Sequence, residues 1–253
     1  MEGIEVIKQD GPARLGNLKR GNTDVQTPEG FYLVGSDGGA RRYRVGIESD
    51  IFIEVPEMSS LTPPRAGSLG EKTVTPTLYR RGINLSPDDM FFMVEAGTGA
   101  DPWEAVELVI SLREEVSPNA VIMVADADLW SFPLLALAGV DLLGDSHARS
   151  SAMAGRMLFG SYSIEAGNLD RGACSCPVCR GTGFGQDPSM HNRWVMARVL
   201  SETRNRINLE EIKLMAEERS VGHPEVNAAL KRTYAKYGEY LERHTTVSPG
   251  VRS

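Results

Sequence analysis

The sequence predicts an α/β protein: a parallel sheet covered by helices, with a small hairpin unit before it and a helical segment after it. Three observations predict this. Short apolar runs alternate with helix-period segments through the middle of the chain, as a parallel sheet with helical crossovers requires. Residues 4–27 are short strand-like runs punctuated by turn signals. From residue 190 onward the chain is polar and helix-forming.

Taken in order, residues 4–8 (IEVIK), 13–19 and 22–27 read as strands, with turns at Asp10-Gly11 and Gly21-Asn22. Residues 31–34, 51–55 and 90–94 are apolar runs bounded by Gly, Pro or Asp and suit buried strands. Residues 56–72 are rich in Pro, Gly and Ser and read as a long loop. Residues 102–116 (PWEAVELVISLREEV) have helical periodicity, and Pro102 fits the first turn, where its missing N–H costs nothing. The run 120–126 (AVIMVAD) is the clearest core strand, followed by a helix over 129–138 and a short strand over 139–143. Asn208 and Glu211 have the spacing of a capping box for a helix ending near Ser220, and Pro224 opens a last helix to about Arg243. His223 and His244 read as ordinary surface or capping residues. No internal repeat is visible.

A chain of 253 residues, 41% hydrophobic and 24% charged, has the composition of a folded soluble protein. No stretch approaches the roughly 18 consecutive apolar residues of a membrane span. The N-terminus, MEGIEVIKQDG, lacks the cationic head and apolar core of a secretory signal, so a cytoplasmic location is expected. The formal charge is −7. Nucleic-acid binding by a single chain usually draws on a basic surplus, so this charge argues against unaided binding. It leaves room for a local cluster such as Arg41, Arg42 and Arg44, or for a basic partner chain.

All three cysteines fall within six residues, as Cys174-Ser-Cys176-Pro-Val-Cys179. Thiolate zinc sites need ligands on a tight turn so that sulfurs converge at about 2.3 Å from the metal. The Cys-x-Cys-x-x-Cys spacing does this, and Pro177 stiffens the turn. His191 is the expected fourth ligand, at the start of a helix whose inner face also carries Trp194, Val195 and Val199. Four protein ligands close the coordination shell, which makes the expected Zn2+ structural rather than catalytic.

The run CSCPVC with the His191-Asn192-x-Trp194-Val195 helix resembles the tRNA-guanine transglycosylase superfamily, particularly its archaeal members. The segments GVDLLGDSHARSSAMAGRML, AEERSVGHPEVNAALKRTYAKYGEYLERH and RLGNLKRGNTDVQTPEGFYLVG extend the resemblance to about two thirds of the chain. The zinc segment is its most specific part. The resemblance implies a trimmed TIM-like (β/α) barrel over 1–170, an inserted zinc element over 171–206 and a helical segment over 207–253. Sites in such barrels lie at the C-terminal strand ends. Those ends offer Asp126, Asp145 and Glu95 as catalytic candidates, and Asp37, Asp128, His147 and Gly97 as substrate-binding candidates.

Three departures from the transglycosylase pattern bear on function. The family's glycosyl nucleophile follows a Val-Asp-Leu-Phe-Asp-like segment; aligned without a gap, that place is Gly144, and Asp145 reaches it only through a one-residue shift. The segment that positions the incoming base is not found, since Asp37-Gly38-Gly39 stands too early. The stretch from the first strand to the zinc site is also short. The departures favour the archaeosine synthase branch, which the resemblance implies attaches lysine to the nitrile of preQ0 in tRNA before a radical SAM enzyme completes archaeosine. The chain resembles the N-terminal half of a split enzyme, whose PUA-containing C-terminal half is the expected partner. The alternatives are the catalytic subunit of a split transglycosylase and an inactive scaffold subunit.

Overall fold

A computed structural model describes residues 3–37, 40–56, 73–79, 85–86, 89–94, 101–170, 174–181 and 187–243. The hairpin unit is an antiparallel sheet of β1 (Ile4–Asp10), β2 (Ala13–Arg20) and β3 (Thr23–Thr27). Gly11 and Gly21 turn it at φ of 61° and 56°, backbone that glycine adopts without strain.

The main sheet has eight strands: β4 (Glu29–Asp37), β5 (Ala40–Val45), β6 (Phe52–Pro56), β7 (Thr73–Val74), β8 (Thr77–Tyr79), β9 (Phe91–Val94), β10 (Val121–Val124) and β11 (Leu142–Gly144). Their order is β7-β6-β5-β4-β11-β10-β9-β8. Only β5 is reversed: it pairs antiparallel with β4 and β6, while every other pairing is parallel. The two edge strands, β7 and β8, are joined by Thr75-Pro76 alone. Three residue steps reach at most about 11 Å, so the sheet must curl until its edges approach.

Strand alternation then divides the core in two. Phe31, Tyr43, Val45, Ile53, Val74, Phe91, Met93, Val121, Met123 and Leu142 pack together on the inner face, with Ile4, Leu18 and Val25 of the hairpin unit added to them. Tyr32, Phe92, Val94, Ile122, Val124 and Leu143 face outward against the helices. The crossovers are α1 (Pro102–Glu115), between β9 and β10, and α2 (Phe132–Ala138), between β10 and β11. The Asp101 side chain caps α1 by accepting from the Trp103 N–H at 3.0 Å. Beyond β11 come α3 (Ser146–Met153), the ribbon β12 (Arg156–Leu158) with β13 (Ser163–Glu165), and α4 (Pro177–Gly181). The chain then continues through α5 (Pro188–Asn208), α6 (Ile212–Ser220) and α7 (Pro224–Arg243). None of these helices is long and apolar enough to cross a membrane.

Two local expectations are corrected. The helix expected over 129–138 starts three residues later, because Asp128–Ser131 form a turn closed by the Ser131 N–H on the Asp128 carbonyl at 3.1 Å. Asn208 and Glu211 do not form a capping box: Asn208 is the last residue of α5 and Glu211 pairs with Arg206 at 2.9 Å. The Asp10 carboxylate takes over, accepting from the Ile212 N–H at 2.8 Å, so a distant hairpin caps α6. The loop expected at 56–72 lies, beyond Pro56, outside the described residues, and so does His244.

A buried charge cluster holds the layers together. The Asp141 carboxylate, 1% exposed, accepts from Arg14 Nε at 3.1 Å, Arg14 Nη2, Arg113 Nη2 at 2.9 Å and the Ile122 N–H at 2.9 Å. The arginines also donate to the carbonyls of Pro118, Ala120 and Gly139. Burial and the neighbouring Arg14 lower the Arg113 pKa to about 10, and Asp141 opposes them. Removing one member of such a cluster strands buried charge, at a cost of roughly 3–5 kcal/mol. Asp141→Ala should therefore lose about that much stability in urea denaturation, far more than a surface Asp→Ala.

Candidate functional site

The four expected metal ligands converge. Pro177–Gly181 turns the cysteine segment into a short helix, and the Asp187 side chain caps α5 by accepting from the Ser189 N–H at 2.9 Å, which fixes His191 in its first turn. His191 Nδ1 lies 3.7, 3.5 and 3.5 Å from the sulfurs of Cys174, Cys176 and Cys179. All four ligand atoms fall within 4.8 Å of one another. A tetrahedron with metal–sulfur bonds of about 2.3 Å and a metal–nitrogen bond of about 2.05 Å has sulfur–nitrogen edges of about 3.6 Å, so the residues fit such an ion. His191 Nε2 donates to the Leu158 carbonyl at 2.7 Å, which leaves the Nδ1 lone pair aimed at the sulfurs. Burial lowers the His191 pKa and favours the neutral, ligating form. Burial also raises the Cys179 thiol to about 12, and a cation held among the sulfurs would favour their ionised forms.

The strand-end candidates differ in their surroundings. Asp126 is half-buried just past β10, and Asp128 is exposed. Asp37 is the last residue of β4, its backbone paired with Ala40. Glu95 and Gly97 lie outside the described residues. Asp145 is fully buried. Its Oδ1 accepts from the Leu33 N–H at 3.3 Å and pairs with Arg149 at 3.1 Å, and Arg193 lies 3.7 Å from its Oδ2. The Leu33 bond falls at the bulge in β4, where the ladder to β5 slips. His147 Nδ1 accepts from the Leu129 N–H at 2.9 Å, and its Nε2 lies 3.6 Å from Asp128. Trp130 sits between two imidazoles, edge-on to His147 and stacked on His223 at 4.3 Å. His223 is thus a packing residue, which a lone histidine before Pro224 did not signal.

A second unanticipated feature is a cavity of about 450 Å³ beside the cysteines, lined by Phe159, Tyr162, Trp194, Arg198 and Arg219 among others. Its aromatic residues are scattered between 159 and 194, so no local motif could announce it.

Two measurements follow from this geometry. Metal analysis should give about one divalent ion per chain, and Cys176→Ala should lose both the ion and much of the stability, because ligation is coupled to folding. Burial lowers the His147 pKa below its ordinary 6.5, Arg156 and His223 add to the effect, and Asp128 opposes it. The unfolded chain therefore takes up this proton first. The stability it confers is complete above pH 6.5 and falls as pH drops from there through the folded-state pKa. In denaturation midpoints measured from pH 7.5 to about 5, His147→Gln, which keeps an acceptor for Leu129, should flatten that part of the acid loss.

No family model matches the chain. Among curated proteins, it is similar to the tRNA-guanine(15) transglycosylase of Thermococcus kodakarensis, 28% identical over 157 residues, which cover 57% of this chain and 27% of that protein. The archaeosine synthase of Methanocaldococcus jannaschii is 24% identical over 150 residues, 59% of this chain and 24% of its own. The archaeosine synthase of Haloferax volcanii is 26% identical over 275 aligned positions, 96% of this chain and 44% of its own. The chain thus spans less than half the length of these relatives. Together they relate the chain to the tRNA-guanine transglycosylase superfamily, near archaeosine synthase.

Proposed function

We propose that this chain is the transglycosylase-like subunit of an archaeosine synthase, a transferase that adds lysine to the nitrile of preQ0 at position 15 of archaeal tRNA. The observation that carries this is Gly144. Leu142 faces the inside of the curled sheet and Leu143 the outside, so Gly144 faces inward again. This is where the ungapped resemblance puts the glycosyl nucleophile. A Cβ at Gly144 would stand 2.4 Å from the Ala125 carbonyl oxygen and 2.8 Å from Ala125 Cα, so no side chain fits unless β10 and β11 separate. Asp145, one residue on, points the other way and is neutralised by arginines. Base exchange needs a carboxylate that holds the ribose carbon covalently. Amine addition does not.

In the addition, a lysine amine forms a C–N bond to the nitrile carbon, one C≡N π pair moves to nitrogen, and the amine's proton is passed to that nitrogen. The step needs a base for the amine and a proton donor for the nitrile nitrogen. Asp126 is the first choice for this work, being half-buried at the end of the central parallel strand, and Glu95 is the second. Asp37, Asp128, His147 and Gly97 are the proposed pocket lining. Asp145 enters as a positioning group that fixes the bulge of β4.

We further take the curled sheet to be a trimmed (β/α) barrel over 1–170, followed by a zinc element over 171–206 and helices over 207–253. An inner face lined from strands all round the sheet, and seven of eight strands running one way, support this. Three thiolates and one imidazole suit zinc. The charge of −7 supports a separate basic partner, the PUA-containing half, and a radical SAM enzyme would act on the adduct. All of this chemistry belongs in the cytoplasm, with its tRNA.

The test is incubation of preQ0-tRNA with labelled lysine, with and without the PUA-containing half, followed by mass analysis of nucleosides. A lysine adduct is expected in the complex, and Asp126→Asn should lose it with the fold retained. If labelled guanine or preQ0 enters tRNA, and Asp145→Asn abolishes this, the chain is instead the catalytic subunit of a split transglycosylase. A complex with neither activity is a scaffold.

A further inference from the structure

We infer that β5 carries an RNA-backbone contact of this chain: Arg42 and Arg44 on the outer face of the sheet and Arg41 on its inner face receive phosphates of a strand passing over the rim. The inference rests on the proposal above that the substrate is a tRNA. Alternation fixes the three directions. Tyr43 and Val45 belong to the inner cluster, so Arg42 and Arg44 face outward and Arg41 faces inward. Because β5 is reversed, its first residues stand beside the last of β4, with Arg41 paired to Ser36 and Ala40 to Asp37. Arg41 thus sits at the strand ends where sites of such sheets lie. Among the described residues, no carboxylate forms an ion pair with it.

Among the described residues, the outer face of β5 is exposed at Arg42 and partly exposed at Arg44. No helix separates β4, β5 and β6 in the chain, whereas α1 and α2 cover β9, β10 and β11. Val34 is 49% exposed, and Arg41 is exposed on the inner side of the rim. The guanidinium carbons of Arg42 and Arg44 lie 4.2 and 5.5 Å from the Phe52 ring centroid. Stacking holds the planar groups in place and leaves N–H edges to donate, the arrangement that suits bidentate phosphate contacts. Arg44 Nη1 also donates to the Ile47 carbonyl at 3.4 Å. Glu54, 3.9 Å from Arg42, is the opposing charge, and an exposed pair of that length holds little energy. Three arginines against Glu54 and Asp37 of the neighbouring strands leave a local +1 on a chain of −7. Phosphate is the ligand whose chemistry matches that local excess.

The experiment is fluorescence anisotropy of the full chain with an unmodified tRNA transcript, from about 50 to 200 mM salt. Each phosphate contact contributes roughly 0.9 to the slope of log affinity against log salt. Arg42→Gln alone should lower the slope by about one, and Arg41→Gln/Arg42→Gln/Arg44→Gln by about two to three, with at least a tenfold loss of affinity at the lower salt. Lys231→Gln on α7 should leave both unchanged. An unchanged slope in a triple variant that melts like the wild type would overturn the inference. So would no measurable binding by the wild-type chain, or loss of PUA-half binding in its place. The chemistry is read separately: a lowered slope without a lysine adduct keeps this surface and removes the proposed activity, while normal adduct formation with an unchanged slope does the reverse.

Discussion

The Asp141 carboxylate is the constraint on which the rest of this fold depends. It lies at the entry to β11 and receives donors from β2, α1 and β10, so one side chain ties the hairpin unit, a crossover helix and the parallel strands. Two buried arginines around one carboxylate leave the group with surplus positive charge. The backbone offsets this by turning three carbonyls, those of Pro118, Ala120 and Gly139, onto the guanidinium edges. Carbonyls can do so only where a helix and a strand both end, and residues 116–120 and 139–141 are such ends. The cluster therefore sets where β10 and β11 begin. Because strand residues alternate faces, the starting point of β11 decides that Gly144 turns inward and Asp145 outward.

The metal element is joined to this framework through three consecutive residues of α5, each reaching a different place. His191 faces the sulfurs and binds the Leu158 carbonyl. Asn192 accepts from the Leu158 N–H and donates to the carbonyls of Ala148 and Arg156, at 2.8, 3.0 and 3.0 Å. Arg193 reaches Asp145, which in turn holds Leu33 at the bulge of β4. An ion held at the first turn of α5 would thus help to fix α3, β12 and the mouth end of β4 through side chains whose partners are mostly backbone. Such bonds are specific in direction, and loosening the first turn of α5 disturbs all of them together.

Much of this was legible in the sequence wherever one signal was local and strong. Strands β1 to β3 announced themselves by turn glycines, α1 by its period and Pro102, β10 by an unbroken apolar run, and the ligand set by four residues of metal-binding type. Other features were not local. Strand β5 (ARRYRV) has three arginines in six residues, and only the reversal that puts Tyr43 and Val45 inside makes it a wall of the sheet. Strands β7 and β8 are too short to carry a pattern, and they matter because of what they bring together. The spacing of Asn208 and Glu211 matched a capping box, yet Asp10, 202 residues away, satisfies that helix end. The office of Asp145 was hidden for the same reason: its place in the chain suggested a strand-end acid, and its surroundings are two arginines brought from α3 and α5.

At the mouth of the sheet, between β10 and β11, the inner wall is made of Ala125 and Gly144, so closely packed that one backbone lies against the other. A wall of backbone offers hydrogen-bonding groups and space but no nucleophile. A reactive carboxylate would then have to come from the turns beyond the strands, where Asp126 stands, and a turn residue is held less firmly than a strand residue. A covalent glycosyl intermediate demands a carboxylate fixed against one ribose carbon in line with the departing base. Proton transfer to and from a bound amine and nitrile tolerates more freedom, since a proton can move through any group within hydrogen-bond reach, or through one water. A glycine wall at the mouth with an acid on the turn beyond it thus supports the proposed addition at the base over exchange of it.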